Sequence, residues 1–288
     1  MGIFLDSFIS VFFPLYGAVG VSLILLAELG LLLKIEIVGI YFTPLVWTGY
    51  ILLVDAILWS REKYSPIHSY PKDFVRMLVW SIFCWIIFEG FNVYLQNWKY
   101  VGLPSDVFLQ IIGYIWSFAT IFPAVLFTAE LLRKSIFPVK FRLSFRLSPP
   151  LLFTLMTLGG IMLAIPLILP QKISANLFGL VWIGFIFLLD PINYLNHRNS
   201  ILGQFSRGEG TTFVALLLSG LCCGVLWEFW NYWATAKWVY SIPLSIAGPK
   251  MFEMPLLGYM GFLPFAVECY IMNEFSYVLF PQFTISKA

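Results

Sequence analysis

The chain has 288 residues, of which 60% are hydrophobic, 19% aromatic and only 11% charged, with a formal net charge of +2. A mean hydropathy of +0.87 lies far outside the soluble globular range, so a water-soluble domain is excluded and a bilayer is the expected solvent. Basic residues sit in loops between apolar runs and form no stripe, so no nucleic-acid partner is expected.

In chain order, apolar runs of about 20 residues, the length a helix needs to cross ~30 Å of hydrocarbon, fall near 8–33, 37–59, 74–96, 107–132, 150–170, 175–194, 211–234 and 254–280. The first run lacks the basic start, short apolar core and small-residue cleavage site of a secretory signal, so it is expected to stay in the mature protein. The opening MGIFLD has Asp6 where a myristoylation signal places Ser or Thr. Cys84, Cys222, Cys223 and Cys269 all lie inside apolar runs, and His68 and His197 stand alone in loops. Neither set has metal-ligand spacing, so core packing is expected of the cysteines, and no metal or cofactor is expected.

With eight spans, the loops after spans two, four and six share a side with both termini. That side holds Arg61, Lys63, Lys72, Arg76, Arg133, Lys134, Lys140, Arg142, Arg146, Arg198, Arg207 and Lys287. The other side holds only Lys34, Lys99, Lys172, Lys237 and Lys250. The positive-inside rule therefore puts both termini in the cytoplasm, in a multi-pass protein of a bacterial inner membrane type.

The halves echo each other. At an offset of 135, Trp47 pairs with Trp182, Gly49 with Gly184, Asp55 with Asp190, Ser65 with Ser200 and Lys72 with Arg207. After a small insertion around Gly208 to Thr211, an offset of 139 pairs Cys84 with Cys223, Glu89 with Glu228 and Asn92 with Asn231. Gly113-Tyr114 matches Gly258-Tyr259, and Trp98 and Tyr100 match Trp238 and Tyr240. The expectation is an all-α integral membrane protein of about eight transmembrane helices. It comprises two parallel four-helix repeats, residues 1–132 and 150–288, joined by a basic cytoplasmic linker at 133–149. From Val139 to Ser148 apolar residues alternate with Lys, Arg or Ser; this reads either as a plain linker or as a surface for anionic headgroups.

Glu28, Asp55, Glu89, Glu130, Asp190, Glu228, Glu268 and Glu274 fall inside or at the edges of the spans. An ionised side chain at mid-bilayer costs at least ~2.5 to 3.5 kcal/mol on insertion scales, so such groups face a protein interior and are functional candidates. With few cations nearby, desolvation favours the neutral acid. Glu89 and Asn92, like Glu228 and Asn231, are spaced i, i+3 and share a helix face. A rise of 1.5 Å per residue puts Glu228 roughly 22 Å along its span, with Asp55, Asp190, Glu130 and Glu268 nearer the cytoplasm. Two readings stay open: an active site, or interhelical hydrogen-bond glue of order 1 kcal/mol each. The surrounding Trp227, Trp230, Trp233, Trp238 and Tyr240, with Phe88, Trp98 and Tyr100, form either an interfacial aromatic belt or a ligand pocket suited to a cation. Pro123 and Pro264 each precede a carboxylate and are expected to kink their helices, for packing or as hinges. Gly220 and Gly224 form a GxxxG read as close helix packing.

A carboxylate-rich span, an external Trp-x-Tyr segment and a next span with Pro shortly before Glu resemble the small, repeat-built membrane lycopene cyclases and related carotenoid-modifying proteins. The likeness covers the two three-span cores. Where that family reads Pro-x-Glu-Glu, this chain has Pro264-Phe-Ala-Val-Glu268. The chain also looks like multi-spanning bacterial membrane proteins without an assigned activity. The resemblance implies cofactor-free acid chemistry, in which a neutral carboxylic acid protonates an alkene while aromatic faces and a second carboxylate stabilise the cation. Glu228, Glu89 and Glu268 would carry it, with Asn92, Asn231, Asp55 and Asp190 as further candidate site residues. The expected function is an intramembrane enzyme acting on a lipid or isoprenoid, its partners being membrane lipids and a hydrophobic small molecule. A small-solute or proton-coupled transporter and a structural or assembly protein are the alternatives.

Overall fold

The computed structural model describes residues 14–141, 146–241 and 249–283. The start of the first expected span, residues 142–145 of the 139–148 alternation, and Lys287 lie outside these residues. Eight helical stretches are long and apolar enough to cross a membrane, and the chain is an all-α, multi-pass integral membrane protein. Six full helices correspond to spans as expected: α1 (Leu15–Leu32), α5 (Pro71–Leu95), α6 (Val107–Ser135), α7 (Pro149–Ile168), α9 (Phe178–Leu195) and α11 (Thr211–Trp233). The second run divides differently from expectation. A short α2 (Glu36–Ile40) precedes the spanning α3 (Phe42–Glu62). The eighth opens with a 3-10 turn over Leu256–Gly261 before α12 (Phe262–Leu279). Three short helices lie in the connections: α4 (Pro66–Ser69), α8 (Gln171–Ser174) and α10 (Ile201–Ser206).

Four short strands and a closing 3-10 segment over Pro281–Phe283 complete the described chain. β1 (Trp98–Val101) follows α5, β2 (Lys237–Tyr240) follows α11, and the two pair antiparallel. β3 (Lys250–Met251) and β4 (Met254–Pro255) form a small hairpin before the 3-10 turn. In the first pair Trp98 stands opposite Tyr240 and Tyr100 opposite Trp238. The end of the bundle carrying β1 and β2 is called the strand end below.

The same local devices recur in the two halves. α3 ends at Lys63 in the left-handed conformation, and the chain turns back into α4, where the Ser65 hydroxyl accepts from His68 N. α10 has the matching cap, Ser200 accepting from Gly203 N. Asp55 Oδ1 accepts from Ile67 N at 2.9 Å, and Asp190 accepts from Ile201 N and Leu202 N at 2.9 and 2.8 Å. α1 packs on α3 and α7 on α9 through facing glycines. A Cβ on Gly20 would lie 2.6 Å from Gly49 O, and one on Gly159 would lie 2.7 Å from Gly184 O. Small residues thus let backbones approach where lipid gives no hydrophobic drive.

α3 packs on α6 and α9 on α12, and α5 packs on α6 as α11 does on α12. Between the halves the main seam is α6 against α11, fixed by Ser219 donating to Val125 O at 2.6 Å. In α6, Pro123 is accommodated by Ser81: its hydroxyl donates to Phe118 O and accepts from Phe122 N, entering the helical ladder one residue before the proline. Pro264 departs from the kink expected of it. It sits in the first turn of α12, where a missing N–H breaks no helical bond. Gly220 and Gly224 press α11 against Phe262 of α12.

Candidate functional site

At the strand end the two halves enclose an aromatic cavity of about 340 Å³, at the low end of the roughly 300–1,000 Å³ of small-molecule pockets. Six tryptophans line it: Trp47 from α3, Trp85 from α5, Trp98 from β1, Trp182 from α9, Trp227 from α11 and Trp238 from β2. Tyr100 and Tyr240 border it from the strands, and Phe262 and Phe265 from α12. Trp47 is fully buried, with its ring 4.8 Å from that of Trp227 and 5.0 Å from that of Trp230. Edge and tilted contacts of this kind fix the rings more firmly than burial alone.

The carboxylates Glu89 and Glu228 are not among the lining residues; aromatic donors stand between them and the cavity. Glu89 Oε1 accepts from Trp85 Nε1 and Trp98 Nε1 at 3.0 Å and from the Tyr100 hydroxyl at 2.6 Å. Glu228, with no exposed surface, accepts on Oε1 from the Tyr240 hydroxyl at 2.6 Å. Trp238 Nε1 donates to that tyrosine oxygen at 2.9 Å rather than to the carboxylate. Glu228 Oε2 has no hydrogen-bond partner among the described residues. One of the missing donors follows from sequence: where α5 has Trp85, α11 has Gly224, whose missing side chain is occupied by the ring of Phe262. Burial first, and then the neighbouring carboxylates, push the Tyr100 and Tyr240 phenols well above their usual range, so both remain proton donors at neutral pH.

Asn92 and Asn231 tie the strands to the helix ends. Asn92 donates to Trp98 O and accepts from Asn97 N and Trp98 N; Asn231 donates to Trp238 O and accepts from Trp238 N. They position the cavity tryptophans and do not line the cavity. Asp55 and Asp190 are likewise remote from it, holding the backbone at α4 and α10; Asp55 also accepts from the Tyr16 hydroxyl at 2.8 Å. Glu268 is fully buried on α12, three residues beyond the cavity residue Phe265, and neither oxygen has a partner among the described residues. The structure thus gathers Glu89 and Glu228 behind the cavity, sets Glu268 one turn beyond its wall and leaves the two aspartates elsewhere.

The expected scarcity of cations near the acids needs correction. Glu130 is bound by Arg133 at 2.7 Å and Glu274 by Arg198 at 3.6 Å. Arg76, expected in a loop, is inside α5 and buried. Its Nε meets Asp73 at 2.7 Å, and it donates to Ser276 and, at 3.1 Å, to Asn273. Tyr277 donates to both Asp73 oxygens, and the guanidinium groups of Arg76 and Arg198 lie 4.0 and 4.5 Å from its ring. The α5 span begins at Pro71 rather than 74, which brings Asp73 into the packed helix beside Arg76, a residue counted with the loop cations although it already falls within the expected span. Trp47 and Trp182 were visible as matched positions, but their shared cavity becomes apparent only when the halves close on each other. No metal-binding cluster of His, Cys, Asp or Glu occurs among the described residues. Compared with known families, curated proteins and solved structures, the chain matches none.

Proposed function

We propose that the chain is an intramembrane enzyme that binds a lipid or isoprenoid in the aromatic cavity and works on it by acid/base chemistry. The single observation that supports this most is the Tyr240–Glu228 pair: a cavity-lining phenol at 2.6 Å from a fully buried carboxyl whose second oxygen has no partner among the described residues. In this reading Glu228 carries a proton in the resting protein, and the pair passes one proton to a ligand double bond. The negative charge left on the pair is steadied by the Trp238 N–H. The cation formed lies against the faces of Trp85, Trp227 and Phe265. A carbon-bound proton of the cation then returns to the pair, so the reaction is an isomerisation or cyclisation with no net proton consumed and no co-reactant. Glu89, held by three donors on one oxygen, serves as a fixed counter-charge on the other side.

The proposal includes an orientation and a symmetry. The loop lysines and arginines favour both termini in the cytoplasm of a bacterial-type inner membrane, with the cavity facing outward. The matched caps, glycine contacts and isologous Trp-Tyr strand pairing favour two parallel repeats related by rotation about the membrane normal.

A transporter is the second reading. It is favoured by the α5–α12 seam, which carries the cavity at the strand end and the Asp73–Arg76–Tyr277 cluster toward the other. Glu228→Gln separates the readings. The enzyme loses at least about 100-fold in product, measured by mass spectrometry of lipid extracts, while the protein still folds and inserts. A carrier keeps ligand binding and loses proton coupling. Unchanged lipids and transport with Glu228→Gln and Glu89→Gln together remove both and leave a structural or assembly role.

A further inference from the structure

The cavity has two unlike walls. On the side built by α3 and α6 stand Thr43, Ser117 and Thr120, together with Trp47. On the side built by α9 and α12 stand Phe178, Trp182, Phe262 and Phe265. Trp182 answers Trp47 at the 135-residue offset, whereas Thr43 is answered by Phe178. At these positions a twofold arrangement of helices has been made chemically one-sided: hydroxyls stand on the α3 and α6 wall, which also carries the rings of Tyr114 and Phe118, where the other wall has phenyl and indole rings alone.

On the polar wall the Thr120 hydroxyl donates to Ser117 O at 2.7 Å, but the α3 groups are unsatisfied. Thr43 Oγ1 and Trp47 Nε1 are buried and have no hydrogen-bond partner among the described residues. They stand four residues apart on α3, one above the other on a single helix face. A buried donor left unpaired costs about 1–3 kcal/mol, and two such groups on adjacent turns beside one cavity call for a common partner. Indole N–H only donates, while a threonine hydroxyl donates or accepts; what fits both is an oxygen acceptor. Charged headgroups are disfavoured. Lys237, the lysine on the lining, is already held by Glu253 at 2.9 Å and by Tyr232 O, and neither Glu89 nor Glu228 reaches the surface of the cavity.

We propose that the ligand is a neutral amphipathic molecule, a hydrocarbon body carrying one hydroxyl or carbonyl oxygen. That oxygen sits against Thr43 and Trp47, and the body lies along Phe178, Trp182, Phe262 and Phe265. This rests on the cavity being the binding site and adds the substrate class and its orientation. A pure hydrocarbon fills the apolar wall but leaves the α3 donors unpaired.

Two probes of equal length test it: farnesol, a prenyl alcohol, and farnesene, its hydrocarbon counterpart. Binding of each to the full chain in lipid nanodiscs is followed by the change in tryptophan fluorescence, with nanodiscs lacking the protein as the partition control. The wild type is expected to prefer farnesol by about tenfold or more. Thr43→Val with Trp47→Phe is expected to bring that preference close to one. Thr43→Val alone, nearly isosteric, serves if the double variant fails to fold by circular dichroism, and is expected to lose part of the preference. Equal affinities in the wild type, or a preference unchanged in the variants, would overturn the polar-end assignment and leave the cavity reading intact. Neither probe binding the wild type would remove the cavity as a lipid site altogether.

Discussion

Tyr240 donates its hydroxyl to Oε1 of Glu228 at 2.6 Å while accepting from Trp238 Nε1, so one phenol joins a cavity wall to a buried acid. Tyr240→Phe removes the link and leaves both Glu228 and the Trp238 indole short of a partner. The expected cost is about 1–3 kcal/mol in stability. If the pair acts as a unit, product formation falls about as far as in Glu228→Gln, and the double variant is little worse than either single one. Turnover unchanged in Tyr240→Phe would place proton transfer elsewhere.

The two strand tyrosines also set an alkaline limit. Their phenols are pushed above the usual range by burial and by Glu89 and Glu228, whereas in the unfolded chain they ionise near ~10. Above that pH the unfolded state sheds protons that the folded state keeps, so stability is full below about pH 10 and falls as pH rises. The thermal midpoint should decline between roughly pH 10 and 12, and Tyr100→Phe with Tyr240→Phe should flatten that limb. An unaltered slope in the double variant would show that other groups carry it.

Asp55 and Asp190 are expected to matter for folding rather than for turnover. Asp190→Ala strands two backbone N–H groups at the start of α10, at a cost of about 2–6 kcal/mol if each unmet donor costs about 1–3. Asp190→Asn keeps one acceptor and should lose about half as much. The measurement is thermal stability beside product formed per folded protein. A large loss of the latter with stability intact would return these aspartates to the chemistry.

Much of the framework could be read from the chain alone because it is written in periodic, local terms. Apolar run length gave the eight helices, and the 135-residue offset matched Ser65 with Ser200 and Asp55 with Asp190 before their shared capping and anchoring roles were visible. The site was harder to read because its parts are distant in sequence. Glu228 and Tyr240 are twelve residues apart and meet only because Asn231 folds β2 back over α11. The polar wall joins Thr43 to Ser117 and Thr120 across α3 and α6, and a threonine in an apolar run carries no signal of its own. Arg76 was misplaced for a simpler reason: the positive-inside count assigns a basic residue near a span end to the loop, whereas here Asp73, Asn273 and Ser276 satisfy it inside the bundle.

The glycine contacts make a sharper folding prediction than the aspartates. A side chain at Gly49 meets Gly20 O at 2.6 Å, and one at Gly184 meets the Leu163 side chain at 2.9 Å. Gly49→Leu should therefore separate α1 from α3 and abolish accumulation in the membrane. Gly184→Ala should be milder, because the leucine side chain can yield and the backbone oxygen it faces, Gly159 O, stands farther off at 3.2 Å. Gly90 and Gly160 have no neighbouring atom within 4 Å of an added Cβ, and alanine at either should be silent. Equal accumulation of Gly49→Leu and Gly90→Ala, by immunoblot of membranes, would remove the close-packing account.

The last prediction concerns how the halves meet at the strand end. Lys99 and Val239 are directly opposed in the β1–β2 pair, and opposed residues in an antiparallel pair have Cα atoms about 4.5–5.5 Å apart, within disulfide range. Lys99→Cys with Val239→Cys is expected to cross-link on mild oxidation in native membranes, in a Cys222→Ala background, since Cys222 is the exposed native thiol among the described residues. Farnesol binding should survive the bond if the strands stay paired during binding, and should fail if they must part to admit the ligand. The single Lys99→Cys variant also reports sidedness: a membrane-impermeant maleimide should reach it in intact cells, while Glu209→Cys, exposed near Arg207 in the loop before α11, should react only after permeabilisation. Reversed labelling would invert the proposed orientation, and labelling of both from one side would contradict the eight-span path. Absence of the cross-link under oxidants that join an exposed control pair would separate β1 from β2 and take the shared cavity with them.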